Sequence, residues 1–257
     1  MRVVVRSLFF VFLISPWLSF AANQQVVVKR QVNLPERMGV LKTLEVRSSG
    51  ALPINVHAVI LKRGLYQSQL YLQPAASIDW VNEVVKQQKA VVGINAGYFM
   101  ENFKPNGLLM IAGKRRSAMK YNRLLSALVL VNQQKEVDLK TRSQGYQGAY
   151  SALQVGPILV ANGKVAVKPN LRYHRRTVLA KAANGDLIIL QSSASNLYRL
   201  ADLLTQHAAI FGAEKITFAV NCDGGSSSAL MINDKNKPVY LSEATPVKTM
   251  LLFKGVS

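Results

Sequence analysis

The chain has 257 residues, one cysteine, and a formal net charge of +19 from 32 Lys and Arg against 13 Asp and Glu. A hydrophobic fraction of 49% excludes a disordered chain, and a single cysteine excludes an internal disulfide. The charge predicts attraction to polyanions, either anionic glycans or a phospholipid surface with peripheral membrane association. Its scatter argues against nucleic acid, the dense spots being only Lys114-Arg115-Arg116 and Arg172 to Arg176.

Arg2 and Arg6 precede an apolar run from Leu8 to Leu18, and Ser19-Phe20-Ala21-Ala22 offers small residues for cleavage. The run is short and broken by Pro16, which suits a signal peptide better than a membrane span. Residues 1–22 are therefore expected to be removed on export to a periplasm or the exterior. Residues 23–88 then read as an N-terminal strand-rich extension, and residues 89–257 as the main domain.

Alternating apolar residues predict strands at Val26 to Val28, Leu44 to Val46, Asn55 to Leu61 and Gln69 to Leu72. Ser77 is placed as the cap of a helix reaching about Gln88, with Ile78, Val81, Val84 and Val85 on one face. Further strands are expected near Ala90 to Ile94, Ala127 to Val131, Ile158 to Val160, Thr177 to Lys181 and Leu187 to Leu190. Asn162-Gly163 and Asn184-Gly185 mark hairpin turns between apolar runs. Ser195 is placed as the cap of a second helix reaching Phe211, stopped by Gly212. Ile216 to Val220, Ala229 to Ile232, Pro238 to Leu241 and Thr249 to Phe253 complete the strands. The fold class is α+β, with mixed β-sheets and a few flanking helices.

Two strands end in the same way. Val91-Val92-Gly93-Ile94 runs into Asn95-Ala96-Gly97-Tyr98-Phe99, and Phe218-Ala219-Val220 runs into Asn221-Cys222-Asp223-Gly224-Gly225-Ser226-Ser227-Ser228. Each follows a predicted helix, which suggests an internal pseudo-repeat whose polar ends converge. In the second end, glycines open the backbone to a ligand, and successive amides and serine hydroxyls can cradle an anion. Cys222 has no neighbouring cation to activate it and reads as core. No His, Cys and Asp spacing fits zinc, and no phosphate-loop motif is present, so neither a metal nor a cofactor is expected. A cation held between Asp223 and Asn95 ranks below the metal-free reading.

Five ordered motifs resemble the phosphodiester glycosidase family. They are Gly93 to Phe99, Pro105-Asn106-Gly107-Leu108, Gln154 to Val160 with its Gly-Pro, Arg176-Thr177, and Asn221 to Leu230. Ser226 stands where that family usually has a third glycine, and Ala96 where its first motif usually has one. The resemblance implies an enzyme that hydrolyses a sugar-1-phosphodiester in an envelope or extracellular glycan; a non-catalytic binder of anionic glycans is the alternative.

For that chemistry the sequence offers few carboxylates. Asp223 is the candidate base or nucleophile, and Glu101 is the only other carboxylate near a motif. Arg176 suits a phosphate because a guanidinium meets two oxygens at once, and Thr177 adds a hydroxyl, although strand neighbours point to opposite faces. Gly224, Gly225, Ser226 and Ser227 would complete the phosphate cradle. Asn95, Gly97 and Asn221 are placed at the substrate, the two asparagines for sugar hydroxyls. Tyr98 and Phe99 suit either a sugar face or the core. His174 is a weaker proton-donor candidate, while His57 and His207 read as structural.

Overall fold

The computed structural model describes residues 24–256; the expected leader lies outside them. Three antiparallel sheets enclose a shared core. The largest has eight strands, in the spatial order Gln25–Asn33, Gly39–Ser48, Ala51–Leu61, Leu187–Ser195, His174–Ala182, Ile216–Asn221, Ile158–Ala161 and Lys164–Val165. A five-stranded sheet orders Val239–Leu241, Leu230–Ile232, Val92–Asn95, Thr249–Gly255 and Tyr66–Leu72. The third sheet orders Lys114–Ser117, Leu109–Ile111, Ser151–Val155, Ala127–Val131 and Val137–Thr141. The fold is the expected α+β class.

Period-two alternation explains how the large sheet serves two cores. Within Ala51–Leu61, Val59 and Leu61 face the centre, where they meet Leu179, Ile189, Val220 and residues of the other two sheets. Val56, Ala58 and Ile60 point the other way, onto the helix Leu197–Gln206 through Leu200, Ala201, Leu203 and Leu204. The shorter helix, Val81–Gln87, lays Val81, Val84 and Val85 on Met231, Met250 and Leu252. The first three strands of residues 23–88 extend the large sheet through pairing of Ala51–Leu61 with Leu187–Ser195, and Tyr66–Leu72 pairs with Thr249–Gly255. These N-terminal strands are therefore built into the same sheets as the rest.

Both helices start later than their sequence patterns suggest. Ser77 does not cap a helix, and Ile78 is 64% exposed. The side chain of Gln73 exchanges hydrogen bonds with the Asp79 backbone, and the Lys248 ammonium donates to the carbonyls of Ala75 and Ser77, which holds this segment open. The helix begins where Glu243 Oε1 accepts from Val81 N–H at 2.6 Å. In the second helix Asn196, not Ser195, is the cap, accepting from Arg199 N–H at 2.9 Å. That helix ends at Gln206, and a separate 3-10 turn, Ala208–Phe211, carries the chain to Gly212.

Candidate active site

The two polar strand ends meet. Asn95 is completely buried, and its side chain closes a loop that is distant in sequence. Nδ2 donates to the Asp223 carbonyl at 2.7 Å, while Oδ1 accepts from Thr177 Oγ1 at 2.7 Å and from Ala229 N–H at 3.0 Å. Asp223 N–H returns a bond to the Ala96 carbonyl at 3.1 Å. Asn95 thus grips both ends of the Asp223–Ser228 loop. Both acceptor positions of Oδ1 are occupied, so it cannot also ligate a cation beside Asp223.

Thr177 and Arg176 do point to opposite faces of their strand. Thr177 is fully buried with its hydroxyl spent on Asn95, whereas Arg176 is half-buried at the rim. Arg176 Nε donates to the Ser195 carbonyl at 3.2 Å and Nη2 to that of Arg172 at 3.1 Å. A Cβ built on Gly224 would lie 3.6 Å from Nη1, so the guanidinium is fixed on two edges and turned toward the glycine loop. Burial lowers its pKa, with Tyr98 acting in the opposite direction.

Asp223 meets Gly224 as well. Its Oδ1 accepts from Gly224 N–H at 2.9 Å. Burial pushes the carboxyl up to about 6, against the lowering effects of the Ser227 hydroxyl and the Gly224 amide. Gly225 takes φ 64°, the left-handed backbone that turns the chain into the 3-10 turn Gly225–Ser227. Within that turn Ser227 and Ser228 N–H are spent on the Gly224 and Gly225 carbonyls. Gly225 and Ser226 hold the amides not used in this way. Ser226 is exposed, and its carbonyl accepts from Ala244 N–H at 2.7 Å.

Behind the loop, Tyr98 and Asn221 form a buried support. Tyr98 Oη donates between the carbonyls of Gly156 (2.6 Å) and Cys222 (3.0 Å), and accepts from Asn221 Nδ2 at 2.8 Å. Burial first and the Asp223 charge second push the phenol well above its ordinary pKa. Asn221 is 2% exposed, which places it behind the loop and not at a sugar. Its Oδ1 has no partner among the described residues. Cys222 is completely buried and its thiol is pushed up by burial, as expected of core. Gly97 is buried for packing reasons. A Cβ there would meet Leu153 Cδ1 at 2.6 Å and Thr249 Oγ1 at 2.9 Å.

The structure thus brings Asp223, Gly224, Gly225, Ser226 and Arg176 together at one surface, with Asn95, Gly97, Thr177, Asn221 and Ser227 packed beneath. Glu101 and His174 are exposed. Two contributors escaped sequence reasoning. The Tyr98 hydroxyl fixes the strand end, and Arg175 Nη2 donates to the Ser228 carbonyl at 2.7 Å, so Arg175 is not a free surface charge. The Arg-Arg pair beside a Gly-Ser loop was the available signal.

The sequence profile of the phosphodiester glycosidase family matches residues 88–254. The chain belongs to this family. It is therefore a hydrolase, a phosphodiester glycosidase, which sets aside the non-catalytic alternative. The fold is similar to the catalytic domain of zebrafish N-acetylglucosamine-1-phosphodiester alpha-N-acetylglucosaminidase, solved auto-inhibited by its pro-peptide. The TM-score is 0.60 at 13% identity, over 93% of this chain and 85% of that one. A hypothetical protein from Synechocystis is also similar, with a TM-score of 0.57 at 16% identity over 85% of this chain and 62% of that one. At these identities the likeness is one of fold. No functionally curated protein matches the chain by sequence.

Proposed function

We propose that this phosphodiester glycosidase is exported and cleaves a sugar-1-phosphodiester in an envelope or extracellular glycan. The observation that carries the proposal is that Gly224 borders both a carboxylate and a guanidinium: its N–H donates to Asp223 Oδ1 at 2.9 Å, and a Cβ built on it would lie 3.6 Å from Arg176 Nη1. Arg176, with the Gly225 and Ser226 amides, holds the phosphate oxygens. Asp223 in its ionised form serves the anomeric carbon as base toward water or as nucleophile. The bond between that carbon and its oxygen breaks, and phosphate leaves as a monoester anion. Since this leaving group is already stable, no second carboxylic acid is needed.

Thr177 and Asn95 act as positioning residues, fixing the loop that carries Asp223. Export rests on Arg2, Arg6, the apolar run and the Ala21-Ala22 site. The net charge of +19 suits an anionic envelope polymer or a phospholipid surface. The test uses the methyl diester of N-acetylglucosamine-1-phosphate, the sugar being taken from the zebrafish enzyme's name. Release of reducing sugar and methyl phosphate, lost in Asp223→Asn, is expected. Turnover by Asp223→Ala within twofold of wild type would remove Asp223 from its role. N-terminal sequencing of the protein recovered from the periplasm or medium checks export, with a start near Asn23 expected.

A further inference from the structure

Two neighbouring tips carry the most exposed large apolar side chains among the described residues. Leu171 is 88% exposed and Leu52 84%, and Tyr173 is exposed beside them. One tip lies in residues 166–173, ahead of the strand His174–Ala182; the other opens the strand Ala51–Leu61, just after the turn at Gly50. They flank one groove of about 370 Å3, which Ala51 lines together with Leu171, Tyr173 and Tyr198. Both tips are held in shape. Asn170 Oδ1 accepts from Arg172 N–H at 3.0 Å, and Arg199 Nη1 donates to the Leu52 carbonyl at 2.9 Å. A lone exposed leucine is ordinary, but a cluster of apolar side chains on fixed backbone marks a surface that something covers.

The charge around the cluster says what covers it. Residues 164–176 hold Lys164, Lys168, Arg172, Arg175 and Arg176 and no Asp or Glu. Lys168 and Arg172 are exposed and make no ion pair among the described residues. Asp202, the carboxylate in the groove, is 8% exposed and lies below its rim. Apolar tips ringed by free cations fit an anionic phospholipid surface, whose phosphates meet the cations while its acyl boundary receives the leucines. Tyrosine suits the headgroup level of such a surface. An anionic glycan would meet the cations and leave both leucines in water.

We propose that these two tips dock the protein on an anionic phospholipid bilayer, with Leu52, Leu171 and Tyr173 entering at the headgroup level and Lys168 and Arg172 meeting lipid phosphates. Docking sets the reacting loop beside the bilayer, because Arg176 Nη2 donates to the Arg172 carbonyl. Binding is read without turnover, so its outcome is separate from that of the glycosidase reading. The chain from Asn23 onward contains all three sheets and lacks the apolar run Leu8 to Leu18, which would enter a bilayer by itself. It is sedimented with vesicles of equal parts phosphatidylethanolamine and phosphatidylglycerol, and with phosphatidylcholine vesicles. Wild type is expected on the first and not on the second. Leu52→Ser combined with Leu171→Ser should weaken binding by about tenfold or more. Lys168→Ala combined with Arg172→Ala should weaken it by about 25-fold, near fivefold for each charge. Lys235→Ala combined with Lys237→Ala, on the turn before Val239–Leu241, should stay near wild type. All six positions are exposed, so none of these changes removes a core contact. Equal losses for the two charge variants with no loss for the leucine variant would indicate a diffuse basic surface and overturn the docking. Absence of binding to the anionic vesicles would do the same, as would a wild-type dimer in sedimentation velocity that Leu171→Ser dissociates, since the tips would then belong to a second copy.

Discussion

Asp223→Asn is expected to inactivate the enzyme and stabilise it. The carboxyl titrates near 6 in the folded chain, against 3.8 for an ordinary aspartate, chiefly because it is buried. Below pH 3.8 it is protonated in both the folded and unfolded chain and carries no penalty. Between 3.8 and 6 the unfolded chain ionises first, so the unfolded state binds fewer protons and stability falls as pH rises. Above 6 the penalty is complete. At 1.36 kcal/mol per pH unit it amounts to about 2–3 kcal/mol. Asparagine retains an oxygen for the Gly224 amide and removes the charge, so the variant recovers that amount at pH 7.5. For a domain of this size the gain corresponds to a rise in Tm of roughly 5–10 °C.

Thermal unfolding of wild type and variant at pH 3.5 and 7.5 reads the effect directly. The Tm gain should be present at the higher pH and absent at the lower. Activity should fall by about 10²–10⁴-fold or more, the usual contribution of a positioned base. For wild type, kcat/KM should rise through a limb near pH 6 and level off above it, because the ionised carboxylate is the working form. A variant that is no more stable at pH 7.5 would refute the buried-charge argument. A wild-type profile with no limb between pH 5 and 7 would refute the link between that charge and catalysis.

Arg176→Lys should lose about 30- to 150-fold in kcat/KM, equivalent to about 2–3 kcal/mol, because an ammonium cannot span two phosphate oxygens. Arg172→Lys should stay near wild type, since Arg172 contributes its backbone carbonyl. Arg175→Lys should fall between them, because its guanidinium holds Ser228; equal losses at all three positions would indicate a diffuse basic surface. Tyr98→Phe removes a donor that the Gly156 and Cys222 carbonyls share with Asn221 Nδ2, and should cost about 0.5–1.5 kcal/mol in denaturant unfolding. Gly97→Ala forces a methyl group against Leu153 and Thr249, and should cost about 1–3 kcal/mol by the same measurement.

Much of the fold was legible because the inner strands of the large sheet are buried on both faces and read as continuous apolar runs, such as Leu187 to Leu190 and Ile158 to Val160, bounded by turn residues. The third sheet was the weak point. Leu109–Ile111 has three residues, and Lys114–Ser117 is a charged edge whose place is set by pairing with Leu109–Ile111, so neither carries an apolar rhythm. Ile78 matches the helical spacing locally, which predicts a longer first helix than the Val81–Gln87 that forms. Gln73 and Lys248 override that spacing, and nothing near Ser77 in the sequence announces them. Capping by Glu243 comes from 162 residues away.

The site separates along the same line. Asp223, Arg176 and the glycine-serine run were legible because charge and backbone freedom are properties of single residues. The parts played by Asn95 and Thr177 were not, because a polar side chain at a strand end offers the same atoms to a ligand or to the protein. The choice is made by partners 82 to 134 positions distant. The physical need for those partners follows from Asp223 itself. A carboxylate kept in surroundings that resist its ionisation would be relieved by movement of its loop toward water. Asn95 opposes that movement at both ends of the loop, and Tyr98 and Asn221 oppose it from behind. The residues that look like substrate contacts in the sequence are thus the ones that keep the reactive charge where water would not leave it.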